Sequence, residues 1–125
     1  MVKKRVLNVG QCNYDHGNIT EALTSRFDVE VVPVHDAEEA TSQASRGGYS
    51  LVLINRIFDR DGTSGVELIR TLKSNPDTAS IPVMLVSNFS DAQAEAIGLG
   101  AVPGFGKANV GKPAMLESVE PFLKG

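Results

Sequence analysis

The chain has 125 residues, 42% of them apolar and 22% charged, with a formal net charge of −3. That size and balance point to one ordinary globular domain, residues 1–125, with one core, and argue against sequence-independent nucleic-acid binding. No apolar run is long enough to span a bilayer, and the single cysteine, Cys12, excludes an internal disulfide framework and fits a reducing cytoplasm.

Lys3-Lys4-Arg5 leads into a strand and reads as a solvated strand end; the apolar segment after it is too short for a signal peptide. From there, strand-like and helix-like stretches alternate, which predicts an α/β fold with a parallel sheet. Val6 to Val9 is the first strand, and Gly10 to Gly17 a polar loop. Asn18, with Glu21 three residues on, forms a helix cap, and Ile19, Ala22, Leu23 and Phe27 share the inner face of that helix. Val29 to Val34 is the second strand. Asp36 with Glu39 repeats the cap, Ala37, Ala40 and Ala44 line a small-residue face, and Gly47-Gly48 ends the helix.

Leu51 to Ile54 are apolar without a break, and polarity switches at Asn55. That is the pattern of a third strand covered on both faces. Ser64 with Glu67 starts a helix whose Val66, Leu68, Ile69 and Leu72 face inward, and Asn75-Pro76 stops it. Ile81 to Val86 is the fourth strand. Ser90 with Gln93 caps a helix carrying Ala94 and Ile97 and running to Leu99. Ala101 to Phe105 is the fifth strand. Pro113 opens a last helix with Met115, Leu116, Val119, Phe122 and Leu123 inward, and Pro121 is expected to kink or fray its end.

Pro33 and Pro103 fall inside the second and fifth strands, and proline is tolerated mainly on sheet edges. A flavodoxin-like order 2-1-3-4-5 places both strands there, giving a three-layer fold with a five-stranded parallel sheet and five helices. In open parallel sheets the chemistry lies beyond the carboxyl ends of the strands. Those ends carry Gly10 and Gln11, Asn55, Ser87 and Lys107.

Three stretches then have a family look: Leu51 to Gly62, Pro82-Val83-Met84-Leu85-Val86-Ser87, and Gly100-Ala101 followed by Phe105-Gly106-Lys107. Over nearly its whole length the chain resembles the CheY-like receiver domain of two-component response regulators. The resemblance implies that Ser87 and Lys107 hold the family's conserved hydroxyl and lysine positions. It also puts Gly10 and Gln11 where receivers carry a Mg²⁺-binding acid pair, and Asn55 where they carry the phosphoacceptor aspartate. None of these carboxylates is present. The loop from Asn55 to Gly65 is longer than the family's usual spacing, Asn88 stands where a small residue leaves the phosphoryl group room, and Ala108 replaces the proline after the lysine.

An amide and a glycine supply too little charge for Mg²⁺, and Asn55 is a poor nucleophile. The expectation is a degenerate receiver, a pseudo-receiver of phosphorelay-type signalling. It would be cytoplasmic and not an enzyme, with no cofactor and no metal, and would touch signalling proteins through the face of the fourth helix, fifth strand and last helix. Pairing with a second copy is left open; no nucleic acid or membrane is expected. Ser87 and Phe105 match the family's switch pair, against ordinary packing as the plainer reading. Lys107 is expected within hydrogen-bond reach of Asn55, Gln11 or the loop acids Asp59 and Asp61.

Two alternatives stand beside this: a pseudo-receiver sensing a small anion in the former pocket, and a thiol redox sensor or enzyme using Cys12, His16 and Lys107. Cys12, Asp15 and His16 match no defensible metal-ligand spacing and read as solvated loop residues. His35 reads as a helix entrance, and Asn8 as a core amide satisfied by nearby backbone.

Overall fold

The alternating pattern resolves into a single parallel sheet wrapped by helices in a computed structural model that describes residues 3–125. In chain order the elements are β1 (Lys4–Val9), α1 (Asn13–Arg26), β2 (Val29–Val34), α2 (Ala37–Ser45), β3 (Leu51–Asn55), α3 (Gly65–Ser74), β4 (Val83–Val86), α4 (Ser90–Gly98), β5 (Val102–Phe105) and α5 (Pro113–Leu123), with a 3-10 turn over Lys107–Asn109. The strands lie parallel in the order β2-β1-β3-β4-β5, the flavodoxin-like arrangement. Pro33 and Pro103 sit on the two edges, where a missing N–H leaves no inner ladder broken.

The period of two along each strand divides the core. Val52 and Ile54 of β3 join Leu7, Val9, Val83 and Leu85 under α2, α3 and α4. Leu51 and Leu53 join Val6, Met84 and Val86 under α1 and α5, where Ile19, Leu23, Met115, Val119 and Leu123 are buried. Every residue of β3 is buried, as an uninterrupted apolar run requires.

Caps at α2 and α3 follow the sequence. Asp36 accepts from the Glu39 N–H at 2.7 Å while the Glu39 carboxylate accepts from the His35 N–H at 2.9 Å; Ser64 accepts from the Glu67 N–H at 3.3 Å. Elsewhere the boundaries move for identifiable reasons. α1 begins at Asn13, so residues 13–17 are helix rather than loop, and Cys12 is the N-cap in place of Asn18. β4 begins at Val83 because Ile81 is already engaged: its N–H donates to Thr78 and its carbonyl accepts from Lys73 Nζ at 2.8 Å.

At α4 the Ser90–Gln93 cap does not form. Phe89 is the N-cap, without a side-chain bond to the helix. Gln93 instead donates to the Leu85 and Ser87 carbonyls, at 2.8 and 3.1 Å, and accepts from the Gly104 N–H at 3.3 Å. It spans the register shift where β5 slips past β4, a place where Gly104 lies so close to the Leu85 carbonyl that a Cβ would collide with it. Ala94 and Ile97 face outward; Ala96 is the buried residue of α4. α5 starts on Pro113 as expected, runs through Pro121 on its exposed side, and ends two residues later at Leu123.

Candidate functional site

Gly10 follows β1 with φ of +78°, a conformation that favours glycine. Its N–H donates to the Val34 carbonyl at 2.9 Å. Its own carbonyl accepts twice, from the Asn55 side-chain amide and from the Asp59 N–H, both at 2.9 Å. Directly against it lies the Phe58 ring, 1% exposed and part of the core; a Cβ at position 10 would collide with that ring.

Phe58 reaches this place because the β3–α3 loop folds back as a compact hairpin. Ile57 and Ser64 form an isolated antiparallel bridge. The Phe58 N–H donates to Thr63, and the Gly62 N–H, with φ of +74° at Gly62, donates back to Phe58, each at 2.9 Å. Asp61 accepts from the Thr63 N–H at 3.0 Å, and its hydrogen bonds to Thr63, side chain first, hold its carboxyl below the usual range. At the hairpin's foot, Gly65 donates to Arg56 at 2.7 Å and packs so tightly on the Asn55 carbonyl that a Cβ would not fit. The acids in this loop are thus surface turn residues, while its aromatic residue is core.

Lys107 is paired with Asp15, at 3.1 Å, and not with Asn55, Gln11, Asp59 or Asp61. This corrects the expectation drawn from the sequence. The cause is the earlier start of α1, which puts Asp15 in its first turn, beside the end of β5, while Asp61 is engaged with Thr63. Gln11 is 3% exposed, and neither polar atom of its side chain has a hydrogen-bond partner among the described residues. The Cys12 thiol, half-buried, accepts from the Asp15 N–H at 3.4 Å.

On the other side of Asn55, Ser87 Oγ accepts from the Phe89 N–H at 3.1 Å, and the Ser87 N–H donates to Phe105, whose ring is buried under α5. Asn88 Oδ1 accepts from the Ala108 N–H at 3.0 Å and closes on Gly106, tying the β4 loop to the turn that carries Lys107. A cavity of about 160 Å³ is lined by Asn55, Ser87, Asn88 and Lys107, together with Arg56, Ile57, Val86 and Phe89. Four of the expected site residues therefore meet. Gly10 and Gln11 do not line that cavity; Gly10 joins the group only through its bond to Asn55.

His16 is a helical residue, not a loop residue. Its Nδ1 accepts from the amide of buried Asn8 at 2.9 Å, so the Asn8 amide nitrogen is engaged by a side chain rather than by backbone, and its Oδ1 has no partner among the described residues. No cluster of three or more His, Cys, Asp or Glu residues able to hold a metal occurs among the described residues, and no helix among them is long and apolar enough to cross a membrane. The sequence reading missed Phe58; the signal was an apolar residue set amid the charges of the loop, facing a glycine at the end of β1.

No protein-family model matches the chain, and no curated protein matches it. Solved structures do. The chain superposes on the chemotaxis response regulator CheY4 of Vibrio cholerae with a TM-score of 0.77, at 15% identity, covering 98% of this chain and 100% of that one. A response regulator receiver protein from Pseudomonas putida gives a TM-score of 0.77 at 22% identity, over 97% and 98% of the two chains. NtrX from Brucella abortus gives 0.81 at 18% identity, over 98% of this chain and 27% of that longer one. At these identities the likeness establishes the fold: it is that of response-regulator receiver domains.

Proposed function

We propose that this chain is a degenerate receiver that works in two-component-type signalling by protein contact, without being phosphorylated and without catalysis. The observation that carries this reading is the packing around Gly10 at the ends of β1 and β3. The Asn55 amide is spent on the Gly10 carbonyl, and Phe58 packs over Gly10, where the family resemblance calls for an acid.

The residues present do not fit the Mg²⁺ that receivers use. Mg²⁺ wants near-octahedral oxygen ligands, one or two of them carboxylates. Gly10 has no side chain and its carbonyl already accepts two hydrogen bonds; Gln11 and Asn55 are neutral amides; of the two carboxylates lining the depression beside Asn55, Asp15 is paired with Lys107, which leaves Asp59 alone. Asn55 is also no nucleophile, since its oxygen is uncharged and its nitrogen lone pair is delocalised. No phosphoryl step is therefore assigned. Incubation with acetyl phosphate and Mg²⁺, followed by intact mass, is expected to show no added phosphate; a stoichiometric adduct would overturn the proposal. Asn55→Asp alone is expected to leave titration calorimetry with Mg²⁺ silent.

The partner would be a signalling protein meeting the face of α4, β5 and α5, in the cytoplasm. Retrieval of a partner by the intact domain, lost on substitution of that face, tests this. The cavity lined by Lys107, Arg56 and Ser87 favours one other reading, a small anion as ligand. Asp15 competes for Lys107. Inorganic phosphate or sulfate should raise the melting temperature by mass action if that reading holds. A thiol sensor would require fast alkylation of Cys12, whose sulfur already caps α1.

A further inference from the structure

On the flank of the former pocket, the β3–α3 loop and the first turns of α3 and α4 enclose an open groove of about 440 Å³. Its apolar surface comes from Ile57, Val66, Phe89 and Ala92. Ile57 and Phe89 are 43% and 55% exposed, and they are two of the four large apolar side chains left exposed among the described residues. Two such residues side by side in one concavity form a patch, unlike the singly scattered apolar residues of an ordinary surface.

The groove's charge is one-sided. Glu67, Asp91 and Glu95 line it, against a single guanidinium, Arg56. That guanidinium is held over the Phe89 ring, 4.7 Å from its centroid. Glu67 shares its carboxylate with Arg70 at the surface, 3.3 Å away, while Asp91 and Glu95 have no ion pair among the described residues. Exposed apolar side chains and carboxylates lining one groove together specify the complement: an apolar side chain carried on a cationic segment.

We propose that this groove docks a Lys/Arg-rich segment of a partner protein, seating one apolar anchor between Ile57 and Phe89 and setting its cations against Asp91 and Glu95. This rests on the reading of the chain as a contact module and adds a second surface, between α3 and α4, that adjoins the face of α4, β5 and α5. A second copy of the chain fits less well, because in its cationic run Lys3-Lys4-Arg5 the Lys4 amine is bonded to the Phe122 and Lys124 carbonyls and Arg5 is paired with Glu30. Arg56 and Phe89 line both this groove and the cavity at Asn55, so an occupant here would touch the wall of that cavity.

The test is selection of an unbiased displayed peptide library against the intact domain, in parallel with Phe89→Ser and with Asp91→Lys/Glu95→Lys. Both variants alter exposed positions, and circular dichroism checks that they fold. The expected result is enrichment of cationic peptides sharing one apolar anchor. Their affinity should fall about tenfold or more in each variant and weaken with added salt. Enrichment of acidic or neutral peptides, retention of binding by both variants, or no enrichment would each overturn the inference. So would a concentration-dependent dimer abolished by Phe89→Ser, which would assign the groove to a second copy. If the groove fails while the face of α4, β5 and α5 still retrieves a partner, only this inference falls.

Discussion

The carboxyl edge of the sheet has two unlike halves. Where β1 and β3 end, the floor is filled: Phe58 is buried over Gly10, Asn55 is bonded to the Gly10 carbonyl, and Gln11 is 3% exposed, beneath an open depression of about 420 Å³ lined by Cys12, Asp15, Asn55 and Asp59. Where β4 and β5 end, it stays open: Phe89 is 55% exposed, Asn88 and Lys107 reach solvent, and the groove beside them is unfilled. The difference follows from charge. A pair of carboxylates at the end of β1 would need water or a cation, and an aromatic ring could not lie against them without desolvating them. With glycine there, the β3–α3 loop can bury its one aromatic residue. At the ends of β4 and β5, Ser87 is itself buried, at 5% exposed, but Asn88, Phe89 and Lys107 around it reach solvent.

The most direct way to break this contrast is to remove the filling. Phe58→Ala should destabilise the fold by about 3–5 kcal/mol, the usual cost of emptying a buried aromatic site. Denaturant unfolding measures it, and a cost below about 1 kcal/mol would mean that the ring is not core. Next in size is Gly10→Ala. It places a Cβ against the ring at a backbone conformation of φ +78°, and should cost about 2–4 kcal/mol from strain and overpacking together. Combined with Phe58→Ala, the glycine substitution should lose much of its separate cost, because the two sites are in contact. Strict additivity would show that Phe58 is not what holds Gly10 bare.

The sheet order was legible because the placing of proline and the unbroken apolar run of the third strand pointed the same way. Pro33 and Pro103 marked the edges, and Leu51 to Asn55 marked the centre. The start of α1 was not legible. Gly17 disfavours a helix interior by about 1 kcal/mol, and Cys12 is not a usual cap, whereas Asn18 with Glu21 imitates one. Tertiary packing of Ile19 and Leu23 overrides that local preference. Gln93 likewise imitates a cap partner but is drawn to the strand carbonyls left free at the slip between β4 and β5. At the site, Asn55, Ser87 and Lys107 of the small cavity were readable from strand ends, and Asn88 only through the family resemblance. The Asp15–Lys107 pair was not, since it depends on where α1 begins.

That pair gives a smaller test of the open half. Its side chains are 39% and 25% exposed, so solvent screens it, and Lys107→Met should change stability by no more than about 1 kcal/mol. The variant should leave Phe58 packed, giving unchanged near-ultraviolet dichroism. A large loss would mean that the lysine props the filled half as well.

The smallest effect concerns His16, on the helix that carries Asp15 to Lys107. Its Nδ1 accepts from Asn8, and its Nε2 lies 3.4 Å from Thr20 Oγ1, an arrangement of neutral imidazole with the proton on Nε2. Burial, and then the charge of His35, hold its pKa below the ordinary 6.5. Protonation would set a donor on Nδ1 against the Asn8 amino group, so the bond would be lost until the amide turned to present its Oδ1. Because the folded pKa lies below the unfolded one, the unfolded chain takes up the proton first as pH falls. The stabilising contribution of neutral His16 is therefore whole above 6.5, declines as pH drops from 6.5 to the folded pKa, and changes no further below it. Unfolding free energies from about pH 8 to about pH 5 should show this decline superimposed on the carboxylate terms. His16→Gln should flatten that part of the profile, and His35→Gln should shift it to slightly higher pH by removing the neighbouring charge. Identical profiles for the parent and His16→Gln would mean that the Asn8 bond does not depend on the neutral ring, and that the filled half has no titrating support beneath it.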